Sequence, residues 1–230
     1  MSKRWSILLI IALLVSCMSL IGCGKSSAPT SSSSEGSKQT EQNASPKVDS
    51  ELADLMSKAK NVDGIYYETV LKSDQLSSIS KMWQQDKKMR SETSVAGMQV
   101  IMIVNPDKDL YCTYMPGTNS AMTMDENSKK SMKDSSAGKW SNDAAAAYKV
   151  TGSEKKDGYD CKVVEGQPEG LSSPVKMWIR EDIGMPVAFE TAINGKTMTM
   201  EFKNYKLGEI EDNMFELPAG VTVTSMPTKP

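Results

Sequence analysis

The stretch Met185–Leu207, MPVAFETAINGKTMTMEFKNYKL, decides the fold. Two alternating runs meet at Asn194-Gly195, the residue pair best suited to the positive φ values of a tight hairpin turn. With a period of two, Val187, Phe189 and Ile193 share a strand face, and so do Met198, Met200 and Phe202. The opposite faces carry Glu190, then Thr197, Thr199, Glu201 and Lys203. One apolar and one polar face describe an antiparallel sheet buried on a single side. Pro186 belongs at a strand start or edge, because it has no N–H for a ladder.

The same reading extends in both directions. Upstream, PVKMWIRED (174–182) puts Met177 and Ile179 on the apolar face, with Lys176, Trp178 and Arg180 opposite. Trp178 is expected to pack at the rim with its indole N–H satisfied. YDCKVVEG (159–166) follows an Asp157-Gly158 turn, so the C-terminal part reads as a meander. The N-terminal part gives strands over 65–72, 79–86, 88–95, 98–105 and 109–115, with a short one over 120–124. Before them, Asp49-Ser50 offers a cap and Leu52, Leu55 and Met56 recur at helical spacing, which predicts a helix over 50–60. The polar, alanine-rich segment 125–148, with Asp125 as a cap, predicts one or two short helices broken at Gly138. The chain from residue 48 to 230 is thus one α+β domain.

What precedes it is different. Lys3 and Arg4 open an almost continuous apolar run from Trp5 to Ile21, the layout of a secretory signal. The run ends Leu20-Ile21-Gly22-Cys23, which resembles the lipobox of bacterial lipoproteins. There the cysteine thiol receives a diacylglyceryl group and becomes the first residue of the mature chain. Leu14-Val15-Ser16-Cys17 also fits, but cleavage there would leave apolar Met18–Ile21 exposed, which favours Cys23 as the lipid attachment site. The division is a signal peptide over 1–22, a Ser/Thr-rich tether over 23–47 and the folded domain. Two acyl chains suffice for stable anchoring, so the expected location is extracytoplasmic, on the cell membrane or an outer membrane.

Composition excludes several functions. Removing residues 1–22 takes away Lys3 and Arg4 and no acid, leaving 25 basic against 29 acidic residues, a net charge of −4. Nucleic acid, which needs a basic face, is not an expected partner. There is no histidine, which removes Ser-His-Asp and Cys-His catalysis and the commonest zinc sites. No metal cluster, phosphate-binding loop or nucleophile elbow appears, so neither cofactor nor enzyme activity is expected. Glu190 and Glu201 could oppose each other across the hairpin, but on its polar face. Cys112 and Cys161 are the cysteines left in the domain. A bridge closing about 50 residues would contribute roughly 4 kcal/mol; the alternative is two buried thiols in neighbouring strands.

The methionines admit two readings. The chain has 17 Met against 3 Phe. Methionine fills gaps in ordinary cores, and it is over-used on surfaces that adapt to varied apolar ligands. On the second reading Met98, Met102, Met177, Ile179, Val187, Phe189, Met198, Met200 and Phe202 line an apolar cavity.

The order of elements resembles the LolA/LolB-like lipoprotein carrier superfamily. The likeness rests on Tyr114-Met115-Pro116, GYDCKVV (158–164), KMWIR (176–180), Gly184-Met185-Pro186-Val187 and FELPAG (215–220), and covers about residues 50–224. It implies a curved antiparallel β-sheet, a half-open β-barrel, covered on its concave face by helices, with acyl chains held between. In the carriers an arginine near the cavity helps govern release; Arg90 is the nearest positional candidate. The carriers are soluble, whereas this chain is expected to be lipid-anchored. That implies a protein holding a lipid, an acyl chain or a lipoprotein, or a cell-envelope interaction or sensor protein with a filled core and a protein partner.

Overall fold

The computed structural model describes residues 48–73, 77–95, 97–134, 145–168, 171–193 and 195–225. Residues 1–47, with the expected signal peptide, Cys23 and the expected tether, lie outside the described residues, as does Gly138. The chain opens with helix α1 (Ser50–Lys60). The Asp49 carboxylate caps it, accepting from the backbone N–H of Glu51 at 3.0 Å and of Leu52 at 3.2 Å. Six strands follow: β1 (Gly64–Lys72), β2 (Ser77–Gln85), β3 (Lys88–Val95), β4 (Met98–Asn105), β5 (Leu110–Met115) and β6 (Ser120–Thr123). Helix α2 (Glu126–Asp134) is capped by Asp125, as its sequence predicts. The return is β7 (Tyr148–Lys156), β8 (Tyr159–Gly166), β9 (Val175–Arg180), β10 (Pro186–Ile193), β11 (Lys196–Leu207) and β12 (Thr222–Ser225).

These strands form one large, curved, unclosed sheet of 12 strands in the order β12-β6-β5-β4-β3-β2-β1-β11-β10-β9-β8-β7. Successive hairpins build each half. Ile193 pairs with Lys196, leaving a two-residue loop in which Gly195 has φ +75°. Asp157 and Gly158 both take positive φ, the condition for a type I′ turn. The two halves join where β1 pairs antiparallel with β11. One pairing departs from the antiparallel expectation: β12 runs parallel to β6, because the C-terminal segment crosses back over the sheet before pairing.

Helix α1 packs on one face of the sheet. Leu52, Leu55 and Met56 bury against Val164, Val175, Met177 and Ile179, while Ala59 and Val62 meet the cluster of Ile65, Tyr67, Met82 and Phe202. Two polar contacts hold it in place, Lys162 to Glu51 at 3.0 Å and Lys58 Nζ to the Glu181 carbonyl at 2.8 Å. Its close approach depends on Gly184, at φ +67°, where a Cβ would lie 2.0 Å from the Leu55 carbonyl oxygen and 2.9 Å from the Ala59 nitrogen. Both obstacles are backbone and cannot swing away. The opposite face is covered elsewhere by the C-terminal segment, whose Phe215 is fully buried and whose Leu217 and Val221 pack on Ile101, Ile103, Cys112, Tyr114 and Ala121.

Gly184→Ala therefore combines a left-handed backbone with a clash against α1. We expect a loss of about 2 kcal/mol, read as a fall of roughly 4–8 °C in thermal midpoint. An unchanged midpoint would show that α1 does not sit on this turn.

Candidate functional site

Register shows which of the candidate residues meet. Residues directly opposite in a ladder share a face. One row runs across seven strands on the α1 face: Val150, Val164, Met177, Phe189, Met200, Leu71 and Ser78. A second row holds Tyr67, Met82, Ser91, Met102, Thr113 and Met122. Met177, Phe189 and Met200 are thus brought together as expected, with Met198 and Phe202 alongside on β11. Ile179 lies under α1, and Met102 lies in the second row, three strands from β1. Phe189, Met198 and Met200 stay half-buried, while Met102, Met177 and Phe202 are buried. Neither row contains a charged side chain.

Two candidates are misplaced by the sequence reading. Val187 is the extra residue of a bulge, since Pro186 pairs with Ile179 and Ala188 with Trp178. A bulge breaks the period of two, and Val187 packs with Cys161, Val163, Trp178 and Ala188 instead of joining Phe189. Met98 is the first residue of β4, at a hairpin tip, and is mostly exposed. Leu71, Tyr67, Met82 and Val164, which the sequence reading did not select, take their places. The alternation of Tyr67, Thr69 and Leu71 was visible, but their meeting with Met200 and Phe202 depends on the pairing of β1 with β11.

Arg90 is not on this face. It pairs with Trp83 and Ile103, and its guanidinium donates to Glu92 Oε1 at 2.9 and 2.7 Å and to the Met214 carbonyl at 3.2 Å. It ties down the C-terminal segment and does not reach the α1 face. Trp178 is buried on the opposite face, its indole N–H donating to Glu154, with Lys156 and Lys176 over its ring at 4.7 and 4.6 Å. Glu190 pairs with Thr199 and Glu201 with Ala188, so the two acids are offset and do not oppose each other. Glu201 is held by Lys72 at 2.8 Å and Lys203 at 2.7 Å. The hydrogen bond from Lys203, then that from Lys72, keeps its carboxyl below the usual range.

No bridge joins Cys112 and Cys161; both are buried free thiols. Nor are they in neighbouring strands, since β5 and β8 stand far apart in the sheet order. Among the described residues no group of three His, Cys, Asp or Glu could hold a metal ion. No described helix is long and apolar enough to cross a membrane.

Two clefts flank α1. One, of about 770 Å³, lies between the end of α1, the start of β1 and the β9–β10 turn, and includes Val62, Ile183 and Leu207. The other, of about 340 Å³, lies beside Glu51, Leu55 and Lys162. Neither is lined by Met177, Phe189, Met198 or Met200.

An unclosed, almost wholly antiparallel sheet with an apolar face and one helix across it defines the class, a half-barrel. The chain matches the family described as Domain of unknown function (DUF4412) over residues 66–192, more than half its length, and belongs to that family. No curated protein matches it. Among solved structures it is similar to an uncharacterized conserved protein from Thermus thermophilus, with 10% identity and a TM-score of 0.51 over 76% of this chain and 98% of that one. It is also similar to a chain of the MucA/MucB complex of Pseudomonas aeruginosa, with 14% identity and a TM-score of 0.48 over 76% of this chain. It spans 62% of that chain's length. A third similar structure is the lipoprotein LppX of Mycobacterium tuberculosis, with 12% identity and a TM-score of 0.45 over 67% of this chain and 92% of that one.

The thiols give a prediction with a definite sign. Burial pushes the Cys112 thiol from 9.0 up to about 11. Between these values the unfolded chain releases its proton while the folded one keeps it. This contribution to stability is complete below pH 9 and is lost as pH rises towards 11. Cys112→Ala should flatten the denaturation midpoint over that interval, and both thiols should react with a thiol reagent only after unfolding. A folded protein that labels readily at about pH 8, where a free thiol is already reactive, would contradict the burial.

Proposed function

We propose that the chain is a membrane-anchored extracytoplasmic lipoprotein whose α1 face binds the acyl part of a lipid or lipoprotein. The observation that carries the reading is the uncharged row from Val150 to Leu71, whose middle members Phe189 and Met200, with Met198 beside them, stay half-buried. A core that only had to be stable would cover them with branched residues. Soft, unbranched side chains left partly open suit a ligand of variable shape. On this reading α1 covers one part of the binding face, and the acyl chain occupies the part beside β10, β11 and β1. Each methylene removed from water there contributes about 0.8 kcal/mol. The half-barrel, with its open apolar face, supports the reading.

A second reading has its own support, since neither cleft touches the methionine row. In that case the row packs as a closed core and the domain is an envelope interaction or sensor module. Purified domain, made without the acyl anchor, separates the two. Lipid in its organic extract, or saturable binding of a fluorescent fatty acid, is the expected result. Lipid-free protein that binds no fatty acid leaves the interaction module.

The anchor is tested apart from the cargo. A Cys23→Ser precursor should leave the membrane fraction or remain unprocessed. Processing and sedimentation like the wild type would place the attachment elsewhere.

A further inference from the structure

The two ends of the sheet differ in chemistry. At the end nearest Gly64, the turn residues 61–63, 86–87, 106–109, 157–158, 181–185 and 208–211 hold nine carboxylates, Asp63, Asp86, Asp107, Asp157, Asp182 and Glu209 among them, against Lys87 and Lys108. At the other end the described turn residues 73, 97, 116–119, 167–168, 171–174 and 195 carry no charge at all. Two further acids of these loops, Asp74 and Glu169, lie outside the described residues. Lys72 and Lys196 sit at strand ends on this side. Three large apolar side chains are exposed there: Met98 at 54%, Ile193 at 44% and Leu171 at 40%. They come from three separate hairpin tips, so no local packing accident produces all of them. Leu207, at 54%, is exposed at the acidic end and stands among carboxylates.

Resting on the lipoprotein reading above, we propose that the apolar-tipped end, which lacks the acidic excess of the other, is a docking site for a lipid surface. The partner is the bilayer that holds the N-terminus. The tether from Gly24 to Lys47 can extend to about 80 Å, so it permits either end to face the membrane. The chemistry of the ends then decides. Strand β11 alone has 12 residues, or about 40 Å, several times the screening length of about 8–10 Å. An anionic leaflet therefore repels the acidic end, and at the other end it meets Lys72 and Lys196, which it does not repel. Met98, Leu171 and Ile193 enter the interface, and the anchor keeps the surface at high local concentration. This orientation points the β10–β11 hairpin, with Met198 as the third residue of β11, at the lipid from which an acyl chain would come.

The test uses mature acylated protein carrying Ile193→Trp, Met98→Trp or Leu207→Trp, in mixed phosphatidylglycerol and phosphatidylcholine vesicles with or without brominated acyl chains. Added tryptophan emission at 193 and 98 should be quenched at least about twofold more than at 207. Equal quenching at all three positions, or stronger quenching at 207, overturns the proposal. So does quenching at 193 and 98 that disappears when a soluble envelope protein is removed from the preparation. Free brominated fatty acid, added without vesicles, reads the cargo site separately. Quenching by vesicles but not by fatty acid supports docking while removing the cargo reading; the reverse removes docking and keeps the cargo.

Discussion

The pairing of β1 with β11 is the contact on which everything else depends. It joins residues 64–72 to residues 199–207, and without it the chain would form two separate sheets. At one end Gly64 and Gly208 pack so closely that a Cβ on Gly64 would lie 2.3 Å from the Gly208 carbonyl oxygen, and the Gly208 N–H donates to the Gly64 carbonyl at 3.0 Å. Along its length Thr69 meets Phe202 and Leu71 meets Met200. A bulge between Tyr66 and Glu68, with Asn204 at φ +56°, brings Tyr205 beside Tyr67, ring centroids 5.5 Å apart. The apolar row across the α1 face exists because of this seam.

The seam also explains the division of labour between the faces. On the α1 side the two halves contribute Leu71 and Met200 to one uncharged surface. On the other side they contribute Lys72, Glu68, Glu201 and Lys203, which form ion pairs and hydrogen bonds in water. Further from the seam, Lys88, Arg90, Asn105 and Lys108 fasten the C-terminal segment over the opposite face. Apart from the Lys162–Glu51 and Lys58 contacts that hold α1, charge and strapping are kept away from the part of the α1 side where Phe189, Met198 and Met200 stay half-buried.

Local chemistry was legible in the sequence and long-range pairing was not. The β10–β11 hairpin followed from Asn194-Gly195, α1 from the Asp49 cap and its apolar stripe, and β8 to β11 from alternation. The parallel pairing of β12 has no local signal, because four exposed residues say nothing of their neighbour. Val187 was misassigned because a one-residue bulge inverts the face without altering the alternation around it. Cys112 and Cys161 looked able to bridge until strand order placed β5 and β8 far apart. Met98 read as one more inward methionine, since an alternation pattern does not tell a strand's interior from its exposed tip. Arg90 was chosen by position along the chain, and the ladder with Trp83 and Ile103 turns it to the other side.

The methionines themselves can report whether their face is a ligand surface. Protein labelled with ¹³C at the methionine methyl groups gives one resonance per methionine, assignable by substitution with leucine. On titration with a medium-chain fatty acid, the resonances of Met177, Met198 and Met200 should move together and saturate, while that of exposed Met98 stays in place. Unmoved resonances for all three, at fatty acid concentrations below micelle formation, would show a closed core and contradict the acyl-binding face.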